Sequence, residues 1–156
     1  QYPTLPILVI SGFDKNEMST FSPFFLQKPF DINELLDKVF MLLGSTEYDT
    51  PNLESSYEQY DFNKEKITNF LSLLQDEFSN YILRIEAVYQ SKNQQEWEAI
   101  IHKIITHIRS MELAKLREVL PENVQDLNEE RFNKAINILS YCLCCFRVEQ
   151  TSNSAD

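Results

Sequence analysis

Glycine is almost missing from this chain, with two residues in 156. Hairpin-rich β folds rely on glycine in their turns, so the shortage points away from an all-β architecture and toward helices. Basic charge is also scarce: 14 Lys and Arg stand against 24 Asp and Glu, for a formal charge of −10. Phosphate backbones and anionic bilayers need clustered cations, so no nucleic acid and no direct membrane contact are expected. No apolar run reaches the ~18 residues of a membrane span, and there is no signal-peptide pattern. Only three cysteines occur, Cys142, Cys144 and Cys145. They make no disulfide framework and suit a reducing, cytoplasmic setting. What remains is 43% hydrophobic and 12% aromatic, enough for a core in one ordinary domain or two small ones. The opening "QYPTLPIL" has no Met and reads as cut from a longer protein.

Three regions follow one another. In residues 1–44, "LPILVIS" is a continuous apolar, β-branched run, predicted as a buried strand. "GFDKNEMSTFS" is a loop with room for a short helix, and "PFFLQKPF" is a second strand ended by Pro29. "DINELLDKVFMLLG" has Asp31 as N-cap, Glu34 three residues into the helix, a stripe through Leu35, Val39 and Leu42, and Gly44 as stop. Two apolar strands hint at a parallel sheet, yet two strands cannot cover their own edges, so this piece looks incomplete. Residues 45–61, rich in Ser, Glu and Tyr, read as a linker.

Residues 62–150 are helical in pattern throughout. One segment starts at Phe62–Asn63. A second, over 73–91, carries Leu74, Phe78, Tyr81, Ile82, Ile85, Val88 and Tyr89. A third runs from Gln94 to Ser110 and extends in pattern through "MELAKLREVL" to Pro121. The last starts near Asp126–Asn128 with Phe132, Ile136, Leu139, Leu143 and Phe146 at helical spacing. Short connections between amphipathic helices predict an up-and-down four-helix bundle. The tail, residues 151–156, is expected to be disordered. The fold class is therefore mainly α, a bundle preceded by a small α/β piece.

The third helix, "WEAIIHKIITHIRSMEL", holds both histidines of the chain. At ~100° per residue from Trp97, Ile100, Ile101, Ile104, Ile108 and Met111 fall within about 60°, and Ile105 near 80°. His102 falls about 140° away, on the outer face near Thr106 and Arg109, whereas His107 falls at about 280°, on the stripe's edge. An outward imidazole is commonly a plain surface residue. Glu98 stands one turn before His102, but zinc takes three or four ligands and no third is evident nearby, so no metal site is expected. The remaining use is chemistry: an imidazole in water is substantially neutral near pH 7 and nucleophilic. Cys142 and Cys145 share a face of the last helix and read as small buried hydrophobes, and Trp97 as core.

The histidine helix resembles that of histidine-phosphotransfer (HPt) domains, four-helix bundles with one exposed, phosphorylatable histidine in mid-helix. Their usual motif is His-x-Leu-Lys-Gly followed by a hydrophobic–Gly–Ala turn. In "HKIITHIRSMEL", His102 stands at the phosphoacceptor position, Ile104 at the Leu position and Met111 at the later hydrophobic position. Ile105, Thr106 and Glu112 replace the usual Lys, Gly and second Gly. The pattern looks like the variant HPt domains on hybrid sensor kinases of Bacteroidetes. Residues 1–44 look like the last third of a response-regulator receiver domain. There "PILVIS" resembles its fourth strand, ending in the phosphoryl-sensing Ser/Thr at Ser11. "FFLQKPF" resembles the fifth strand, with Lys28 as the phosphate-contacting lysine, Pro29 as the cis-proline and Phe25 at the aromatic switch position.

The resemblance implies a phosphorelay fragment: His102 as nucleophile and phosphoryl carrier, with Lys103, Thr106 and Arg109 supporting the phosphoryl group or the docked partner. It implies a receiver domain as partner, which would contribute Mg²⁺ and a lysine, and no cofactor in this fragment. The fragment would be a phosphocarrier rather than a complete enzyme, its parent chain a sensor histidine kinase anchored in the inner membrane. The receiver's acidic pair and phosphoacceptor aspartate have no counterpart, since Asp14 and Asp31 lie at the wrong places, so Ser11, Phe25 and Lys28 are vestiges here. The open strand edge would allow a homodimer through this remnant. A degenerate bundle that docks or dimerises without carrying phosphate is the alternative.

Overall fold

The computed structural model describes residues 7–12, 25–44 and 47–154. These form six α-helices, one 3₁₀ turn and two short strands, so the protein is mainly helical. The chain divides into two compact units, Gln1–Glu47 and Tyr48–Asp156.

In the first unit, β1 (Val9–Ser11) and β2 (Phe25–Gln27) pair in parallel, Val9 opposite Phe25 and Ser11 opposite Gln27. The Lys28 N–H donates to the Ser11 carbonyl at 2.8 Å and extends the ladder by one bond. The Lys28–Pro29 peptide is cis. Helix α1 (Ile32–Gly44) starts as its sequence predicts, because the Asp31 carboxylate accepts from the N–H groups of Asn33 (2.7 Å) and Glu34 (3.0 Å). Leu42 is buried and Leu35 and Val39 are half-buried, while Ile32, Leu36 and Leu43 stay exposed. The predicted loop over 12–22 and Asp14 fall, from residue 13 on, outside the described residues.

The second unit contains α2 (Glu54–Gln59), α3 (Lys64–Ser91), α4 (Gln94–Ser110), α5 (Ala114–Val119), the 3₁₀ turn Val124–Asp126 and α6 (Glu129–Ser154). Asparagines start its three long helices. The side chains of Asn63, Asn93 and Asn128 accept from Lys66, Glu96 and Arg131 N–H groups at 2.9–3.1 Å. Helix α4 runs antiparallel to α3, since Glu96 meets Arg84 (3.1 Å) at one end and His107 meets Glu77 (3.1 Å) further along. Helix α6 is also antiparallel to α3: Phe132 stacks on Tyr89, Phe146 sits edge-on to Phe78, and Gln150 accepts from Gln75. Between α4 and α6 the chain returns along α4, with the Leu113 N–H on the Ile108 carbonyl and the Pro121 carbonyl accepting from the Trp97 indole at 2.9 Å. The core is apolar throughout: Leu71, Phe78, Ile85, Trp97, Ile100, Ile104, Leu116, Leu139 and Phe146 are fully enclosed, and no charged or polar residue is buried among the described residues.

Several sequence expectations give way here. The segments from 62 and from 73 are one continuous helix, because no Gly or Pro interrupts 64–91. Three long helices and two short ones therefore stand where one short and three longer helices are predicted. Helix α4 does not run on to Pro121; it stops at Ser110, where Glu112 takes φ 59° and Met111 and Leu113 turn into the core. Residues 48–61 are not a free spacer. Leu53 is buried, Tyr48, Tyr57 and Tyr60 pack on the core, and Asp49 accepts from the Lys115 N–H at 2.7 Å. The tail is helical to Ser154, as Thr151, Ser152 and Asn153 side chains donate back to the carbonyls of Arg147, Val148 and Glu149. Among the described residues, four other than glycine adopt left-handed φ at corners: Asp61, Phe62, Lys92 and Glu112.

Candidate functional site

Helix α4 owes its orientation to its buried stripe. Trp97, Ile100, Ile104 and Ile108 are enclosed, Ile101 and Ile105 are half-buried, and the indole N–H of Trp97 is tied to Pro121. Rotation of the helix would expose these apolar side chains, at roughly 1.5–3 kcal/mol each. The opposite face is thereby fixed toward solvent. It carries Glu98, Ala99, His102, Lys103, Thr106 and Arg109, all exposed. Among the described residues no hydrogen bond or ion pair engages the side chains of His102, Lys103, Thr106 or Arg109. The outward direction expected for His102 from periodicity is the direction it takes.

Side chains on a helix lean toward its N-terminus, so His102 lies over the turn holding Glu98 and Ala99, and Thr106 leans back toward His102. A carboxylate precedes the imidazole by one turn and a hydroxyl follows it by one turn. Cations stand at Lys103 and Arg109. Such a surface can present a nucleophilic nitrogen and offer positive charge to an anionic group brought by a partner.

His107 has a different setting. Its side chain is only 20% exposed, and its ring packs edge-on to Phe78 and Tyr81. Its Nε2 lies 3.1 Å from Glu77 Oε2, while the other oxygen of that carboxylate accepts from the Tyr81 hydroxyl at 2.8 Å. Burial, reinforced by the Glu77 hydrogen bond, raises the Tyr81 phenol well above the ordinary tyrosine range. Sequence reasoning gave His107 a packing position but missed Glu77 and Tyr81 as its partners. They lie on a separate helix, and only the antiparallel register of α3 and α4 brings them together.

Of the remaining candidates, Ser11, Phe25 and Lys28 belong to the first unit and the cysteines to α6. Ser11 and Lys28 stand side by side at the C-terminal ends of β1 and β2, whereas Phe25 is buried at the opposite end of that short ladder. None of the three cysteines is in a disulfide, and all three are buried. Cys142 and Cys145 have Cys-x-x-Cys spacing, but they sit inside α6, where burial raises the Cys142 thiol and pushes Cys145 up to about 12. Thiols held neutral in this way are poor nucleophiles and ligands, and they act as packing groups. Among the described residues no group of three or more His, Cys, Asp or Glu is placed to hold a metal ion. Nor is any helix among them long and apolar enough to cross a membrane.

No family model, curated protein or solved structure gives a significant match to the chain.

Proposed function

We propose that the helical unit is a phosphoryl carrier of the histidine-phosphotransfer kind, with His102 as the acceptor. The observation that carries this reading is the outward, unengaged imidazole in the middle of a helix whose opposite face is locked into the core. The finer architecture, an up-and-down four-element bundle, belongs to the same reading, with the broken return over 111–127 acting as the third element. In the reaction, the lone pair of an imidazole nitrogen attacks phosphorus in line. The N–P bond forms as the acyl-phosphate P–O bond breaks, and the aspartate of the partner receiver leaves with the electron pair. Most of the charge neutralisation at the transferred group falls to the partner. Lys103 and Arg109 add positive charge beside it, and Thr106 donates a hydrogen bond.

The test uses the whole chain with a receiver domain phosphorylated at its aspartate. Acid-labile, alkali-stable label appears on the wild type and is lost in His102→Gln, with the helical content unchanged. Normal labelling of His102→Gln overturns the assignment. A second reading, docking without transfer, is favoured by Thr106 at the position where the family usually has glycine, because the larger side chain narrows the approach. A stable complex with the receiver and no label would select it.

A further inference from the structure

Residues 48–53 belong to a stretch that reads as linker in the sequence, yet they close the corner where the histidine helix ends. Helix α4 stops at Ser110, which leaves its last carbonyls in need of donors. The Met111 N–H donates to the His107 carbonyl, and the Leu113 N–H to the Ile108 carbonyl across the left-handed residue Glu112. The Met111 carbonyl is served from outside the helix, by the backbone N–H of Asn52 at 3.0 Å. The Asn52 side chain completes the clasp. Its oxygen accepts from the Glu54 N–H at 3.1 Å, which orients the amide, and its NH₂ group donates to Glu112 Oε1 at 3.2 Å. Glu112 carries a Cβ in a conformation that favours glycine, so this turn is strained and gains from a brace.

Three residues before Asn52, Asp49 serves the next helix. The N-cap position of α5 is Leu113, whose side chain accepts no hydrogen bond. The Asp49 carboxylate takes over that task, with Oδ2 accepting from the Lys115 N–H at 2.7 Å. The same segment is fastened to α6. The Tyr48 and Tyr141 rings lie 5.5 Å apart, Thr50 Oγ1 is 3.1 Å from the Tyr141 hydroxyl, and Pro51 and Leu53 are buried. Residues 48–53 therefore form a strap. Anchored on α6, it grips the end of α4 through Asn52 and the start of α5 through Asp49.

We infer that Asp49 and Asn52 are positioning residues for the transfer surface, an inference that rests on the phosphoryl-carrier reading. Arg109 stands in the turn that the strap holds, one residue from the end of α4. Helix ends open locally more often than helix middles, and a loosened last turn would spread the Arg109 side chain over many directions. His102 lies about two turns in from that end, over the enclosed Ile100 and Ile104. The strap acts through the corner: it keeps the last turn wound and so keeps Arg109 where a docked partner meets it. Neither Asp49 nor Asn52 bonds to the imidazole, so the reactivity of the ring itself owes them nothing. Loosening the strap therefore weakens capture of a large phosphoryl donor and spares reaction with a small one.

Two measurements on the whole chain decide the matter. The first is amide hydrogen exchange, which involves no phosphoryl chemistry. Asp49→Ala and Asn52→Ala should each speed exchange over residues 109–115 by about fivefold, the scale of one lost helix cap. Residues 78–88 of α3 and 100–104 of α4 should keep their protection. Asp49→Asn retains an acceptor oxygen and should restore most of what Asp49→Ala loses. Wild-type exchange in both alanine variants overturns the inference. The second measurement is labelling from two donors. With a receiver phosphorylated at its aspartate, each alanine variant should raise KM by about fivefold, the scale of one exposed charge interaction, with kcat little changed. With potassium phosphoramidate, from which ammonia leaves as the N–P bond forms, each should label at the wild-type rate while His102→Gln stays inert. An unchanged KM despite faster exchange refutes the positioning role and leaves the carrier reading intact. Slower labelling with both donors also overturns the inference, because the damage then reaches the imidazole itself. A wild type that takes a phosphoryl group from neither donor refutes the carrier reading and the positioning role together.

Discussion

At the His102 turn of α4 the side chains of His102, Lys103, Thr106 and Arg109 face water, and none makes a hydrogen bond or ion pair among the described residues. At the His107 turn, five residues on, the same side chain type lies between Phe78 and Tyr81 and is met by the Glu77 carboxylate. Both imidazoles belong to one continuous helix, so backbone geometry does not separate them. What separates them is the angle each makes with the stripe anchored by Trp97. One histidine is available to a partner; the other is a polar tie between two helices. The comparison teaches that availability, more than residue type, selects the candidate nucleophile.

The sharpest way to break this contrast is to exchange the roles. His102→Gln should remove all acid-labile label, whereas His107→Gln should retain it, as read by labelling followed by alkaline and acid treatment. If His107→Gln alone loses the label, the two turns have been assigned the wrong way round. Next in size is the packing beneath His107. Phe78 is fully buried against Tyr81 and Phe146, so Phe78→Ala should cost about 3–5 kcal/mol in urea denaturation.

A third measure is alkaline stability. Free tyrosine ionises near ~10, and Tyr81 in the folded protein ionises higher, with burial the leading cause. Between those two values the unfolded chain has released a proton that the folded chain retains. The stabilising contribution is therefore complete below pH ~10 and is lost as pH rises above it. Tyr57 shifts upward too, and Tyr141 is pushed up to about 12, both chiefly by burial. Unfolding midpoints compared at about pH 8 and about pH 11 should fall, and Tyr81→Phe should lessen the fall. An unchanged slope in Tyr81→Phe would show that this phenol does not contribute. The smallest effect belongs to the exposed turn: Thr106→Ala and Arg109→Ala should each move stability by no more than about 0.5 kcal/mol, while lowering transfer from a phosphorylated receiver.

The helix starts at Gln94 and Asn128, the cap at Asp31 and the parallel relation of the two strands were legible in the sequence, because each rests on a local signal. The facing of His102 was legible for the same reason, being a matter of period. The stop after Ser110 was not, since "MELAKLREVL" continues the apolar period and the turn is made on Glu112 rather than on a glycine. The ordering of 48–60 was hidden because its apolar stripe, Leu53, Tyr57 and Tyr60, spans barely two turns among Ser, Glu and Gln, too short to stand out from a linker. The helical end at 151–154 depends on Thr, Ser and Asn side chains bonding back along their own helix, a use that composition alone does not distinguish from a solvated tail. Glu77 with His107, and Gln94 with Val124, required tertiary register.

The corners made without glycine leave this chain with unused thermodynamic headroom, and unequally so. A left-handed residue bearing a Cβ costs roughly 1–2 kcal/mol. Lys92 recovers some of that through Leu127 and the Tyr89 ring, and Glu112 through Asn52. Asp61 and Phe62 are exposed, and no side-chain bond of either among the described residues offsets the strain. An engineer seeking a sturdier protein would therefore place glycine at 62 and leave 92 alone, since the first relieves a tension and the second removes a brace.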